Sequence, residues 1–243
     1  MEHKITAVIV IKDEALQLME YFEHVRRFCD EIIAIDQHST DASLALCLKH
    51  CDKVFTSRNT GYCEKDWEFA SHQAKNDWIC LLCPDERFEN EFIYDLDKTL
   101  FECEENNKDS VQCEVHEYYD GIYCNEDPAP LQCRLFRKGL HFGGRIHSCV
   151  SFREPLATTY KQFHFKNYSD TMKKESVRQG YYDTMQRIMI EHFFSNLNSF
   201  LDCFKKENNQ LIKEVYDDTG KNKEIYIMLN KKRELPTAKL IRF

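Results

Sequence analysis

Glycine and proline are scarce in this sequence, with 7 and 5 of them among 243 residues. Their scarcity excludes a collagen-like repeat and argues against long flexible linkers. Long apolar runs are also missing, because no stretch approaches the roughly 20 apolar residues that a membrane-spanning helix needs. The net charge of −8 disfavours nucleic acid as a partner. The 42% hydrophobic content is enough for one large α/β domain, or for one domain with a helical appendage.

A recognisable secretory signal is missing as well, because residues 1–4 lead into an apolar run that is too short for one. The 12 cysteines therefore predict reduced thiols that pack as small hydrophobic side chains, and not a disulfide framework. Cys80 and Cys83 form one C-x-x-C; without a second such pair, it is weak evidence for zinc or redox chemistry. We expect a cytoplasmic protein and leave peripheral contact with a membrane surface open.

The first 105 residues alternate between apolar, β-branched runs and amphipathic helical segments. The predicted strands are residues 5–11, 31–35, 53–56 and 77–82. The predicted helices are residues 15–28, 40–48, 64–75 and 90–104. Such alternation predicts an α/β fold, with a mostly parallel sheet flanked by helices.

The pattern changes after residue 107. Short strands are predicted at residues 110–116, 121–124 and 131–136, and a long amphipathic helical pattern at 170–206. This pattern has an apolar stripe, which is best explained as a face docked on the domain or on another subunit. The stripe comprises Met185, Ile188, Met189, Phe193 and Leu197. We therefore predict a domain at 1–168 and a helical C-terminal region at 169–243, the latter a candidate for acceptor, membrane-surface or oligomer contact.

Two aspartates follow predicted strands: Asp36 comes directly after the second, and Asp85 comes three residues after the end of the fourth. Ligands of open parallel sheets bind beyond the carboxyl ends of the strands, near the switch in strand order. Both carboxylates are thus expected to face one crevice. Helix capping is the alternative explanation for either aspartate taken alone.

Several segments, in the right order, resemble glycosyltransferase family 2, whose members adopt the GT-A (Rossmann-like) fold. They are residues 5–14 (ITAVIVIKDE), 30–41 (DEIIAIDQHSTD), 76–86 (NDWICLLCPDE), 134–139 (RLFRKG) and 144–147 (GRIH). The last two are similar to members acting on lipopolysaccharide cores. The resemblance covers roughly residues 4–168. It implies an inverting transfer of a sugar from a nucleoside-diphosphate sugar to a hydroxyl of a glycan, lipid or protein acceptor.

The resemblance also implies roles for individual residues. Asp36 would accept a hydrogen bond from the nucleotide base, and Asp85 would hold Mn²⁺ or Mg²⁺ on the diphosphate. His164 is the candidate that would complete this metal site. The full set expected to bind the nucleotide sugar is Ile11, Lys12, Asp13, Glu14, Asp36, His38, Ser39 and Asp85.

The sequence also departs from the family pattern. Cys83 stands where the family has the first acid of its Asp-x-Asp, and a soft thiol is a poor partner for Mg²⁺, so the metal requirement is expected to be weak or absent. The family's His-Glu is His147-Ser148 here, which leaves His147, Glu86 and Glu154 as open candidates for the catalytic base. A non-catalytic GT-A-like module that binds sugar nucleotides is the alternative. A nucleotidyltransferase is disfavoured, because residues 11–14 contain no glycine to hold a triphosphate.

Overall fold

The structure is a computed structural model that describes residues 2–59, 63–124, 129–139, 141–142, 150–151, 154–166, 204–207, 210–216 and 223–228. The strands are Ile5–Ile11 (β1), Glu31–Asp36 (β2), Lys53–Thr56 (β3), Trp78–Leu81 (β4), Glu86–Phe88 (β5), Ser110–Tyr119 (β6), Ile122–Tyr123 (β7), Leu131–Arg137 (β8), His141–Phe142 (β9), Val150–Ser151 (β10), Leu156–Lys166 (β11), Phe204–Glu207 (β12), Gln210–Tyr216 (β13) and Lys223–Met228 (β14). The helices are Ala15–Val25 (α1), Ser43–His50 (α2), Glu64–Gln73 (α3), Asn90–Tyr94 (α4) and Leu96–Glu105 (α5).

The centre of the sheet is parallel, in the order β3-β2-β1-β4. Beyond β4 the order continues β8-β6-β11-β5, where β8 is antiparallel to both of its neighbours and β11 is parallel to β6. Because β2 and β4 flank β1 on opposite sides, the order of strands switches direction at β1. This confirms the predicted mixed α/β fold with a mostly parallel sheet.

Both faces of β1 and β2 are buried, which explains why these strands are nearly continuous apolar runs. Alternate residues of β1, such as Ile5 and Ile9, belong to the core beneath α1 and α5. Val8 instead packs with Phe69 of α3 on the other face. Burying one such side chain contributes about 1.5–3 kcal/mol, so these two cores hold the strand ends, and the loops that follow them, in place.

The sequence patterns did not predict strands β5 and β11. β5 has only three residues, and the second half of β11 alternates Gln162, His164 and Lys166 on one face with Phe163 and Phe165 on the other. Its amphipathic pattern reflects a strand of which one face carries polar groups. The helix predicted at 90–104 is divided at Asp95, whose carboxylate accepts the Tyr160 hydroxyl of β11 at 2.7 Å.

The C-terminal part of the chain is extended at three places where a helical region was predicted. β12, β13 and β14 form an antiparallel meander, and β14 pairs with β3 through Ile227 and Thr56. The prediction of a helical region at 169–243 is therefore wrong for these strands, whose β-branched residues and short lengths suit pairing. The remaining residues of that region, including the apolar stripe at Met185–Leu197, lie outside the described residues.

The described cysteines are free thiols, most of them buried, as expected for thiols that pack as hydrophobic side chains. Among the residues that the structure describes, no helix combines the length and the hydropathy that a membrane crossing requires.

Candidate functional site

Asp36 lies at the carboxyl rim of the parallel strands. It is paired with Ile11, so β1 and β2 end side by side. The Asp36 carboxylate is buried and accepts the backbone N–H of Ser39 at 3.1 Å. It does not cap α2, whose first turn is preceded by Ala42 without a side-chain cap. Asp36 thus closes the turn after β2, at the rim where it was predicted to meet a nucleotide.

The loops that follow β1 and β2 are joined by side-chain hydrogen bonds. Asp13 Oδ1 accepts the backbone N–H of Thr40 at 2.5 Å, and Asp13 N donates to Ser39 Oγ at 3.0 Å. The N–H of Thr40 lowers the pKa of Asp13 below its ordinary value, against a smaller opposing effect of burial. Lys12 Nζ also bonds the carbonyl of His38. Asp13 and His38 both have positive φ, 56° and 58°, a backbone conformation that these shared bonds stabilise.

Glu14 completes this cross-linked pair of loops. Its backbone N–H donates to Ser43 Oγ at 2.8 Å, and the next N–H, of Ala15, donates to Asp41 Oδ2 at 3.0 Å. The residues predicted to wall a nucleotide pocket are thus brought together from two separate loops. Their orientation is set before any ligand arrives.

Asp66 of α3 is a buried member of the site that the sequence patterns missed. Its Oδ2 accepts Gln37 Nε2 at 2.7 Å and Ser57 Oγ at 2.8 Å, so it ties together the residues that follow β2 and β3. In sequence, an acid in the first turn of a helix indicates only a favourable interaction with the helix dipole. The long-range bonds of Asp66 become visible only in the folded chain.

Asp85 and His164 are in direct contact. Asp85 Oδ2 and His164 Nε2 are 3.1 Å apart, and the backbone N–H of Phe165 donates to the Asp85 carbonyl at 2.9 Å. The contact arises because β11 runs antiparallel to β5, with His164 opposite Glu86. Burial raises the pKa of Asp85, but the hydrogen bond and charge of His164 outweigh it and hold that pKa below its ordinary value. The two predicted metal ligands are therefore adjacent.

Further charged groups surround His164 on the same face of the sheet. Glu117 Oε1 lies 3.5 Å from His164 Nδ1 and 2.7 Å from Lys166 Nζ, which also donates to Tyr119 Oη at 3.3 Å. Burial lowers the pKa of Lys166, yet the contact with Glu117 outweighs it and raises that pKa above its ordinary value. Lys166 is thus cationic, and its charge also helps to lower the pKa of Asp85.

Glu86 is not placed as a free catalytic base. Its carboxylate is fully buried and accepts Arg134 Nη2 at 2.6 Å, Arg134 Nε at 3.0 Å and the backbone N–H of Cys83 at 2.8 Å. Burial lowers the pKa of Arg134, but the charge of Glu86 outweighs it and the pKa lies above the ordinary value. A carboxylate held by three donors is unsuited to remove a proton from a substrate.

The other candidate bases are not brought to the site by the described residues. Glu154 is exposed and precedes β11, whose residues from Leu156 to His164 span roughly 25 Å in extended conformation. Glu154 therefore lies far from His164, at the opposite end of the strand. His147 lies outside the described residues.

Cys83 does not supply the hard ligand that the family's first acid would. Burial raises the pKa of its thiol well above the ordinary value, which keeps it neutral near pH 7. Within the described ranges, no group of three or more His, Cys, Asp or Glu is arranged to hold a metal ion. The pair formed by Asp85 and His164 would need oxygen ligands from a bound diphosphate or water.

No protein-family model matches the chain, but curated relatives do. An uncharacterized glycosyltransferase of Rickettsia felis is 33% identical over 88 residues, which cover 36% of this chain and 31% of that protein. One of Rickettsia prowazekii is 23% identical over 223 residues, covering 81% of this chain and 76% of that protein. The chain spans about a third of the length of the relatives that it matches at above 30% identity.

Solved structures of S. aureus TarS 1–349 share the architecture described above. The complex with UDP-GlcNAc has a TM-score of 0.53 and 14% identity, covering 68% of this chain and 59% of that chain. The complex with UDP has a TM-score of 0.50 and 12% identity, covering 70% and 62%. At such identities the likeness concerns the fold, and the described residues form a GT-A-like α/β fold with its mostly parallel sheet flanked by helices.

Proposed function

We propose that this chain is a glycosyltransferase of the family 2 type, which transfers a sugar from a nucleoside-diphosphate sugar to a hydroxyl of a glycan, lipid or protein acceptor. One observation carries the proposal: Asp85 and His164 meet at 3.1 Å beyond the end of β4, at the switch in strand order where open α/β sheets bind their ligands. The names of the curated relatives and the UDP and UDP-GlcNAc bound to TarS support the same function, with a uridine diphosphate sugar as the first donor to try.

The spacing of Asp85 and His164 fits a shared divalent cation. Two ligands in adjacent positions of an octahedron, each roughly 2.1 Å from the ion, lie roughly 3 Å apart. When bound, Mn²⁺ or Mg²⁺ would offset the charge that develops on the departing nucleoside diphosphate. Carboxylate and imidazole suit Mn²⁺, while the neutral thiol of Cys83 adds nothing to a site for a hard cation.

Residues of the chain would bind the nucleoside, place positive charge near the diphosphate and accept the acceptor proton. Asp36 and the loops joined by Asp13 would hold the nucleoside at the ends of β1 and β2, and Lys166 would add positive charge near the diphosphate. In an inverting transfer, the acceptor oxygen forms a bond to the anomeric carbon as the bond to the phosphate oxygen breaks, and a base takes the acceptor proton. Of the three candidates, we retain only His147 for that role.

A thermal-shift panel of sugar nucleotides, with and without Mn²⁺, tests this proposal. A ligand that binds only the native state raises its stability by about 2.7 kcal/mol at 100 times its dissociation constant. We expect UDP or a UDP-sugar to raise the melting temperature, and to raise it further with Mn²⁺. If no nucleoside diphosphate shifted melting under either condition, the proposal would be wrong.

A second candidate function, a non-catalytic module that binds sugar nucleotides, is favoured by Cys83 in place of the first acid. Both functions predict binding, so the discriminating measurement is turnover. Release of UDP from a bound UDP-sugar, with and without a panel of glycan, lipid and peptide acceptors, would support the transferase. Tight binding with no release under any of these conditions would favour the module.

A further inference from the structure

Arg134 and Glu86 form a deeply buried ion pair beside the site. Arg134 donates to both carboxylate oxygens of Glu86, at 2.6 and 3.0 Å, and the side chains are 12% and 0% exposed. The Arg134 guanidinium also lies 6.0 Å from the centre of the Trp67 ring of α3. A buried pair of this kind often contributes little net stability compared with apolar side chains of similar volume, so its position calls for an explanation other than stability.

The pair is attached directly to the turn that carries Asp85. Glu86 Oε2 accepts the backbone N–H of Cys83 at 2.8 Å, while the backbone N–H of Glu86 donates to the Cys83 carbonyl at 3.0 Å. These two bonds close the four-residue turn from Cys83 to Glu86. Since Arg134 belongs to β8 and Glu86 begins β5, the turn is anchored to a separate strand.

We propose that Arg134 and Glu86 are positioning residues, which hold the turn from Cys83 to Glu86 so that the Asp85 carboxylate faces His164 and a metal-bound diphosphate. The proposal rests on the proposed function, because it assigns the pair a role in binding the donor. It also gives Glu86 a role other than that of a base: Glu86 acts through Asp85 and touches neither substrate nor cation.

A second Arg–Glu pair, more exposed than the first at 36% and 32%, serves as a control. Arg137 of β8 donates to Glu104 of α5, and its guanidinium lies 4.9 Å from the centre of the Trp78 ring. The residue types, the strand and the aromatic contact are therefore the same. Trp78 begins β4, however, so this pair lies at the end of the sheet away from Asp85.

The test replaces each pair by methionine and measures binding of UDP by calorimetry, with and without Mn²⁺, beside thermal melting. Outer-shell partners of metal ligands typically contribute 10- to 100-fold to metal affinity. We expect the double variant Glu86→Met and Arg134→Met to melt close to the wild type, since both charges are removed together. Its affinity for UDP should fall about 10- to 100-fold with Mn²⁺ and change little without it. The control double variant, Arg137→Met and Glu104→Met, should bind as the wild type does.

A folded Glu86→Met and Arg134→Met variant that binds UDP and Mn²⁺ as tightly as the wild type would overturn the inference and leave the proposed function intact. Failure of the wild type to bind UDP at all would instead overturn the proposed function, and this inference with it. The single variant Glu86→Gln provides a second reading that does not depend on the double variant folding. We expect it to weaken Mn²⁺-dependent UDP binding; unchanged binding with a collapsed transfer rate would mark Glu86 as a base and contradict its positioning role.

Discussion

Asp85 and His164 are 79 residues apart in the sequence, yet their side chains meet at 3.1 Å. Two backbone features bring them together: the antiparallel pairing of β5 with β11, and the hydrogen bond from Phe165 N to the Asp85 carbonyl. Because backbone pairing and a backbone hydrogen bond fix both residues, the contact is formed in the folded chain before any ligand binds. Such pre-organisation is what a site for a charged donor requires.

The first prediction concerns Asp36, which closes a turn and is also the proposed contact for the nucleotide base. Asp36→Asn keeps an oxygen that can accept the Ser39 N–H, whereas Asp36→Ala does not. If Asp36 binds the base, both variants should weaken UDP binding, by roughly tenfold for one lost charged hydrogen bond, with a smaller effect on the acceptor. Calorimetry with UDP provides the measurement. If Asp36→Asn bound UDP with wild-type affinity, Asp36 would stabilise the turn without contributing to nucleotide binding.

The second prediction separates His164 from the nucleotide pocket. His164→Gln removes the imidazole that lies against Asp85 but leaves Asp36 and the loops at β1 and β2 unchanged. UDP affinity should fall about 10- to 100-fold with Mn²⁺ and remain at the wild-type value in EDTA. Equal affinity of variant and wild type in Mn²⁺ would remove His164 from the metal site. Exposed Glu154→Gln, at the far end of β11, is the control.

The third prediction concerns the pH dependence of stability and follows from His24 of α1. Burial, together with the charges of Arg87 and Arg27, lowers the pKa of His24 to about 4, and its Nε2 accepts the Phe88 N–H at 3.0 Å. In the unfolded chain the His24 imidazole has a pKa near 6.5. The stability that neutral His24 contributes to the folded chain is therefore fully present above pH 6.5. It is lost as the pH falls toward 4, at up to about 1.4 kcal/mol per pH unit.

Urea unfolding at pH 7, 6 and 5 measures this loss. The variant His24→Gln retains an acceptor for the Phe88 N–H but cannot titrate, so its free energy of unfolding should change less between pH 7 and 5 than that of the wild type. Parallel pH profiles for the two proteins would show that His24 is not the cause. Because Phe88 belongs to β5, acidification is also expected to loosen the strand next to Asp85.

The parallel part of the sheet was predictable because its strands are buried on both faces. β1 is an unbroken run of apolar and β-branched residues, and its predicted bounds agree with the structure. The positions of Asp36 and Asp85 follow from the same reasoning, since the residue after a parallel strand lies at the rim. Local pattern and global fold agree in this part of the chain.

The remaining parts depend on contacts that a local pattern does not contain. Asp66 has the sequence signature of a helix start, and its bonds to Gln37 and Ser57 come from two other elements. Glu86 follows Asp85 directly and invites interpretation as a base, whereas its partner Arg134 is 48 residues away. The helical region predicted at 169–243 was extended from the pattern at 170–206, whereas β13 and β14 lie beyond that pattern and β14 pairs with β3.

Asp85 is proposed to bind a cation together with a nucleoside diphosphate. Titration of UDP into the wild type and Asp85→Ala, each with Mn²⁺ and with EDTA, measures that role. Asp85 is partly exposed and lies in a turn that Glu86 holds, so the variant should melt within a few degrees of the wild type. We expect Mn²⁺ to tighten UDP binding about 10- to 100-fold in the wild type and not at all in the variant. If Mn²⁺ tightened UDP binding equally in both proteins, Asp85 would not be a ligand of the cation.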